Sequence, residues 1–359
     1  MGLFDGFRRD KKSNSQDSLS QRKDYDKSLQ SSYADNLTAE VVSEEQQPET
    51  ETIFESPVET QESAGEVAVE IETSEEDQED IDLPIYKTIK PYSEKNPVDH
   101  VIGTTRIIAV INQKGGVGKS TTAVNLSACL GEMGKSVLLV DLDPQGNASS
   151  GLGIEKSQVK NCVYDALLND VPLEEIIIPD VCTRLDLVPA TINLAGAEVE
   201  LVSAMARENR LKDAVGRFRG KYDYIFIDCP PSLGLLTINS FVAADSLLIP
   251  IQTEFYALEG VTKLLESVKL VKARLNPSLD IFGVLLTMYD KRTNLAKQVA
   301  DEVRNFFGNL VFETVIPRSV RLSEAPSFGQ PITQFDPAGK GAIAYTSLAE
   351  EVIQRGNQN

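Results

Sequence analysis

The stretch VINQKGGVGKSTTAVNLSACL, from Val110 to Leu130, constrains the fold more than any other part of this chain. A short apolar run, RIIAVI, leads into three glycines, and a helical pattern starts at Lys119. A strand that turns tightly and enters a helix leaves several backbone N–H groups converging on one point. Gly115, Gly116 and Gly118 keep Cβ atoms away from that point. The helix start adds its partial positive charge, so the loop is built to hold an anion. The loop residues Gly115 to Thr121, Val117 included, form the expected cradle. Lys119 is placed for the β- and γ-phosphates of a nucleotide, and the Ser120 hydroxyl for Mg2+. The match to G-x-x-x-x-G-K-[ST] fails at one position. Gln113 stands where the first glycine belongs, and a second lysine, Lys114, follows it.

Two further segments complete a site. VLLVDLDPQGN ends a strand with Asp141 and Asp143, and YIFIDCPPS ends another with Asp228. Carboxylates at the C-terminal ends of parallel strands lie where open α/β sheets bind ligands. One of these carboxylates can hold Mg2+ through water, and another can orient an attacking water. Strand-end aspartates also serve as helix caps, so the glycine loop is what turns these into site candidates.

Further apolar runs are LDLVPA, DSLLIPI, IFGVLLTM and VFETVIP. Helical patterns separate most of them, as at Ala197–Arg217, Ala257–Arg274 and Leu295–Phe307. Continuous apolar strands alternating with helices predict a mostly parallel, twisted sheet covered on both faces, the P-loop NTPase form of α/β fold. The expected domain spans residues 104–359.

Residues 1–103 are expected to be a disordered tail. Between residues 31 and 86 there are 18 acidic residues and no lysine or arginine. Such a segment buries too little apolar surface to offset its ordering entropy. Most of the net charge of −19 lies in the tail, because residues 101–359 hold 25 Lys and Arg against 29 Asp and Glu. The four cysteines form no C-x-x-C pair, which fits a reducing, cytoplasmic setting. The single histidine, His100, argues against hydrolase chemistry that needs a histidine base. No apolar run reaches the roughly 18 residues of a spanning helix.

KGGVGKST with its early Lys114, DLDPQGN and FIDCPPSLGLLT resemble the deviant Walker A ATPases. The similarity to the ParA/Soj chromosome-partitioning branch is close. It runs from about Ile107 to Val352 and includes YDALL, LAGAEVEL, YALEG, LLTMYD and IPRSVRLSEAPSFGQPI. In that family the missing first glycine is normal and Lys114 is the signature lysine. The resemblance implies a homodimer formed with ATP and Mg2+, in which Lys114 reaches the partner's phosphates and Gly115 lies at the close approach. It assigns catalysis to Lys114, Lys119 and Asp143, the Walker B role to Asp228, and the adenine side to Pro317 and Arg318. It further implies non-specific binding of double-stranded DNA through Arg292 and Arg321, with Lys291 and Lys297 nearby. A nucleoid-associated protein and a ParB-like partner that stimulates slow hydrolysis complete the picture.

Two rivals use the same loop. A MinD-like membrane-positioning ATPase ends in a basic amphipathic helix, which SLAEEVIQRGNQN does not resemble. A membrane contact through MGLFDGFRRDKK at the start is opposed by its shortness and by Gly6. An iron–sulfur carrier ATPase presents cysteines at the dimer axis, whereas Cys229 reads as a small buried strand residue.

Overall fold

The computed structural model describes residues 104–255 and 257–358. The expected disordered tail and its basic start lie outside the described residues. Eight strands are formed: β1 (Arg106–Val110), β2 (Val137–Asp141), β3 (Ile178–Cys182), β4 (Leu185–Val188), β5 (Tyr224–Asp228), β6 (Ser246–Gln252), β7 (Asp280–Tyr289) and β8 (Val311–Pro317). They make one sheet in the order β3-β4-β2-β5-β1-β6-β7-β8. Every pairing is parallel except that of β3 with β4. Eleven α-helices are described: α1 (Lys119–Glu132), α2 (Asn147–Gly151), α3 (Val163–Leu168), α4 (Leu194–Glu200), α5 (Arg210–Gly216), α6 (Leu235–Ala243), α7 (Glu259–Arg274), α8 (Asn294–Phe307), α9 (Val320–Glu324), α10 (Ile332–Phe335) and α11 (Lys340–Gln358).

Alternation along the strands divides the core in two. Ile107 and Ala109 of β1 join Leu138, Val140, Ile225 and Ile227 on one face. Ile108 and Val110 join Val137, Leu139, Tyr224 and Phe226 on the other. Side chains on successive strand residues point to opposite faces, so a strand covered on both sides must be apolar throughout. This is why RIIAVI and YIFID read as unbroken apolar runs.

The expected helix Ala197–Arg217 is two helices, α4 and α5. The chain leaves α4 through a 3-10 turn, Leu201–Ser203, and Ala206 takes a left-handed φ of 51°. Buried Asn239 of α6 makes the break tolerable. Its amide donates to the carbonyls of Arg207 (2.7 Å) and Leu235 (2.9 Å), and its oxygen accepts from the N–H of Leu211 (3.1 Å). Backbone groups freed by a helix break must find partners when buried, and one distant asparagine supplies them. Strand β3 was not expected either. Pro179 and Asp180, the latter at φ 54°, interrupt its apolar alternation. Its pairing with β4 is irregular between Ile178 and Cys182. Among the described residues no helix is long and apolar enough to cross a membrane.

Candidate active site

The sheet sets the site by its order. β1 pairs with β5 on one side and β6 on the other. The connections therefore diverge at its C-terminal end, which is where such sheets leave a crevice. Register brings three strand ends level there: Val110 lies opposite Asp228, and Asp228 opposite Asp141.

The glycine loop fills this crevice and is braced from beneath. Asn112 donates to the Pro250 carbonyl (2.8 Å) and accepts from the Lys114 N–H (3.0 Å). The Thr287 hydroxyl of β7 donates to the Val117 carbonyl (2.8 Å). Gly116 and Gly118 sit at φ 76° and 90°, which a residue with a Cβ rarely adopts. No side chain caps α1. The N–H groups of its first turn therefore remain for an outside acceptor, and the helix dipole favours an anion.

The loop closes one end of a cleft of about 720 Å³. Gly115, Gly116, Gly118, Lys119, Ser120, Thr121 and Asp143 line it, and so do Pro317 and Arg318. Val124, Ile316, Leu322, Pro326 and Tyr345 add apolar surface suited to a flat aromatic base. Val117 is not a lining residue: its side chain is buried, and its carbonyl is spent on Thr287.

Lys119 is only 7 % exposed, and its ammonium donates to the Lys114 carbonyl (3.1 Å). Burial lowers its pKa, while nearby Asp228 and then Asp143 oppose that shift. Asp228 is fully buried, and neither of its oxygens has a hydrogen-bond partner among the described residues. Burial first, then Asp141, pushes its carboxyl well above the usual range; Ser120 and Lys119, close by, act the other way. A buried, unpartnered carboxylate beside a lysine and a serine hydroxyl is an unfinished arrangement. Ser120, Asp143 and Asp228 offer oxygen donors, which suit a hard cation. Among the described residues no three His, Cys, Asp or Glu side chains form a closed metal cage. These oxygen donors fit Mg2+, which is usually held by one or two carboxylates together with phosphate oxygens and water.

Asp141 and Asp143 are separated only by Leu142 but differ in use. Asp141 is consumed by α2, accepting from the Ser149 N–H (2.8 Å) and hydroxyl (2.6 Å). Burial raises its pKa to about 6 against those hydrogen bonds. Asp143 lines the cleft and braces the next turn through the Gln145 N–H (2.9 Å). Cys229 is buried at the end of β5, and burial pushes its thiol up to about 12, far from a reactive or ligating thiolate.

Lys114 stands outside this cleft and forms an ion pair with Glu254, just beyond β6. Arg292 and Arg321 do not line it either: Arg292 follows β7, and Arg321 stands on α9 between the lining residues Val320 and Leu322. Each is exposed and each holds a carboxylate, Asp290 at 2.7 Å and Glu324 at 3.1 Å. Sequence reasoning missed Glu254, Thr287 and Asp290. The signal that found Asp143 and Asp228, polar residues at strand ends, also marks these three.

A protein-family profile described as an AAA domain matches residues 105–281. The chain is similar to the sporulation initiation inhibitor protein Soj of Bacillus subtilis, at 59 % identity over 251 residues, covering 70 % of this chain and 99 % of that protein. It is also similar to the chromosome partitioning protein ParA of Myxococcus xanthus, at 55 % identity over 250 residues, covering 70 % of this chain and 88 % of that one. Among solved structures it resembles cobyrinic acid a,c-diamide synthase from Mycobacterium smegmatis with bound ADP and magnesium. The TM-score is 0.62 and the identity 38 %, over 70 % of this chain and 96 % of that one.

Proposed function

The chain belongs to the ParA/Soj family of chromosome-partitioning ATPases, and from that premise we propose that ATP closes two copies face to face into a dimer that holds DNA without sequence preference. Hydrolysis, stimulated by a ParB-like partner, releases the DNA and lets the cycle move chromosome or plasmid cargo over the nucleoid. ATP with Mg2+ is the ligand that the loop, the apolar cleft and the unpartnered Asp228 suit. Lys119 and the first-turn N–H groups of α1 hold the β- and γ-phosphates. Asp143, at the phosphate end, orients the attacking water. Magnesium, when bound, supplies positive charge to the phosphate oxygens; Ser120 and Asp228 are the residues that would hold it, Asp228 through water.

The observation that carries the dimer reading is the split between the two lysines. Lys119 serves its own cleft, whereas Lys114 lies outside it. In addition, a Cβ at Gly115 would meet nothing within 4 Å in this chain. Packing within this chain therefore does not demand a glycine there. In the dimer Lys114 leaves Glu254 for the partner's phosphates, a charge-assisted contact available only when ATP is bound. Lys114→Ala is expected to bind ATP as a monomer and to form no dimer. Light scattering with ATP tests this, and a Lys114→Ala dimer of normal stability would sink the trans-acting lysine.

DNA binding is assigned to Arg292 and Arg321. Pairing two weak patches doubles the phosphate contacts, and log affinity follows their number. Arg292→Ala and Arg321→Ala are each expected to weaken binding to all sequences alike. Each lost contact should flatten the slope of log K against log salt by about 0.9, with ATP-driven dimerisation intact. Unchanged slopes in both variants would move the DNA face elsewhere.

A further inference from the structure

The C-terminal end of β7 runs from the glycine loop to the surface that carries Arg292. Thr287 holds the Val117 carbonyl. Met288 lines the cleft in a left-handed conformation, φ 51°, uncommon for a residue with a side chain. Tyr289 pairs with Pro317, and its carbonyl accepts from the Arg318 N–H (3.2 Å). Asp290 follows. Its carboxylate accepts from the Arg292 N–H (3.0 Å), Nε (2.9 Å) and Nη2 (2.7 Å). Its carbonyl accepts from the Thr293 hydroxyl and N–H (both 3.1 Å), and Thr293 in turn caps α8.

This carboxylate faces two arginines of different kinds. Arg292 is on the outer surface, its side chain 83 % exposed. Arg318 lines the nucleotide cleft. The hydrogen bonds from Arg292 first, with the charge of Arg318 added, hold the carboxyl well below the usual range. Asp290 is therefore ionised near neutral pH. An ion pair this exposed does little for the stability of the fold. Its larger effect is on the field outside: a full negative charge lies within hydrogen-bond distance of a guanidinium that would meet DNA phosphate. A paired arginine neutralises less phosphate charge, and so releases fewer counterions, than a free one.

We propose that Asp290 is a built-in brake on DNA binding, a carboxylate that offsets Arg292 so that the patch on one subunit is too weak to hold DNA and two must act together. This rests on the reading of Arg292 as a DNA contact. The competing role for Asp290 is purely geometric, setting the turn that presents Arg292. The two roles differ in sign: losing a brake strengthens DNA binding, and losing a positioner weakens it.

Asp290→Asn separates them, because it removes the charge and keeps an acceptor for the turn. DNA affinity is measured with and without ATP across a salt series, for wild type, Asp290→Asn, Arg292→Ala and the double variant. Light scattering with ATP confirms that each still dimerises, and Asp290→Ser replaces Asp290→Asn if that variant does not. With ATP, Asp290→Asn is expected to bind about tenfold or more tightly at low salt, with a slope steeper by about 0.9 per subunit. Weak DNA binding should also appear without ATP. The double variant should return to the Arg292→Ala curve. An unchanged or weakened Asp290→Asn, or a gain that survives Arg292→Ala, overturns the brake while leaving DNA binding itself in place. Failure of the wild type to bind DNA with ATP would instead overturn the DNA reading on which the brake stands.

Discussion

Lys119→Ala is expected to abolish measurable ATP binding. Among the described residues the ammonium is the one buried positive charge at the glycine-loop end of the cleft, and the charge-assisted hydrogen bonds it would make to phosphate contribute about 1.5–3 kcal/mol each. Losing two of them weakens ATP binding by at least ~100-fold. The same change removes a positive charge that acts on Asp228, which drives Asp228 further toward its protonated form. A carboxyl whose folded pKa is raised makes folding less favourable as pH rises from its unfolded value through the folded one. The variant should therefore lose stability relative to wild type toward neutral pH and recover part of it in mild acid. Thermal melts across pH, with and without ATP, check both statements. Wild-type protein should gain Tm with ATP and the variant should not. An equal ATP-induced shift in both would remove Lys119 from the phosphate site.

Asp143→Ala should separate binding from hydrolysis. Lys119, Ser120 and the α1 N–H groups are untouched, so ATP still binds and the dimer still forms. The residue lost lines the cleft at the phosphate end and is the one assigned to orient water. Positioning and general-base contributions of this kind are commonly worth 10²–10⁴-fold in rate. Hydrolysis is thus expected to fall by about 10³-fold, with the ATP dimer persisting on DNA. Part of the loss could come from the turn that Asp143 braces through Gln145. Asp143→Asn keeps an acceptor for that N–H and should still be slow. A normal turnover number in Asp143→Asn would return the water-orienting role to another group.

How much of this was legible from the residues varies with the kind of feature. The loop and the strands were legible because their causes are local. Gly116 and Gly118 are required where φ is positive, and the glycines stand beside a lysine and a serine in sequence. Strands β1, β2 and β5 are buried on both faces, so the demand for apolar residues is continuous and easy to read. The break between α4 and α5 was not legible. Its backbone partners come from Asn239, 28 residues beyond Leu211, and no local pattern announces that bond.

The sequence by itself determined a phosphate-binding α/β domain and, through the matched motifs, its family. A strand, a glycine turn, a lysine and a helix start, all in register, converge on one anion. Only the tertiary structure decided the division of labour among charges. It assigned Asp141 to holding α2 and left Asp143 in the cleft, although the two are separated by one residue. It paired Lys114 with Glu254 and Arg292 with Asp290. Electrostatic roles depend on distance and burial, and the register of parallel strands fixes both by bringing together residues that are far apart along the chain.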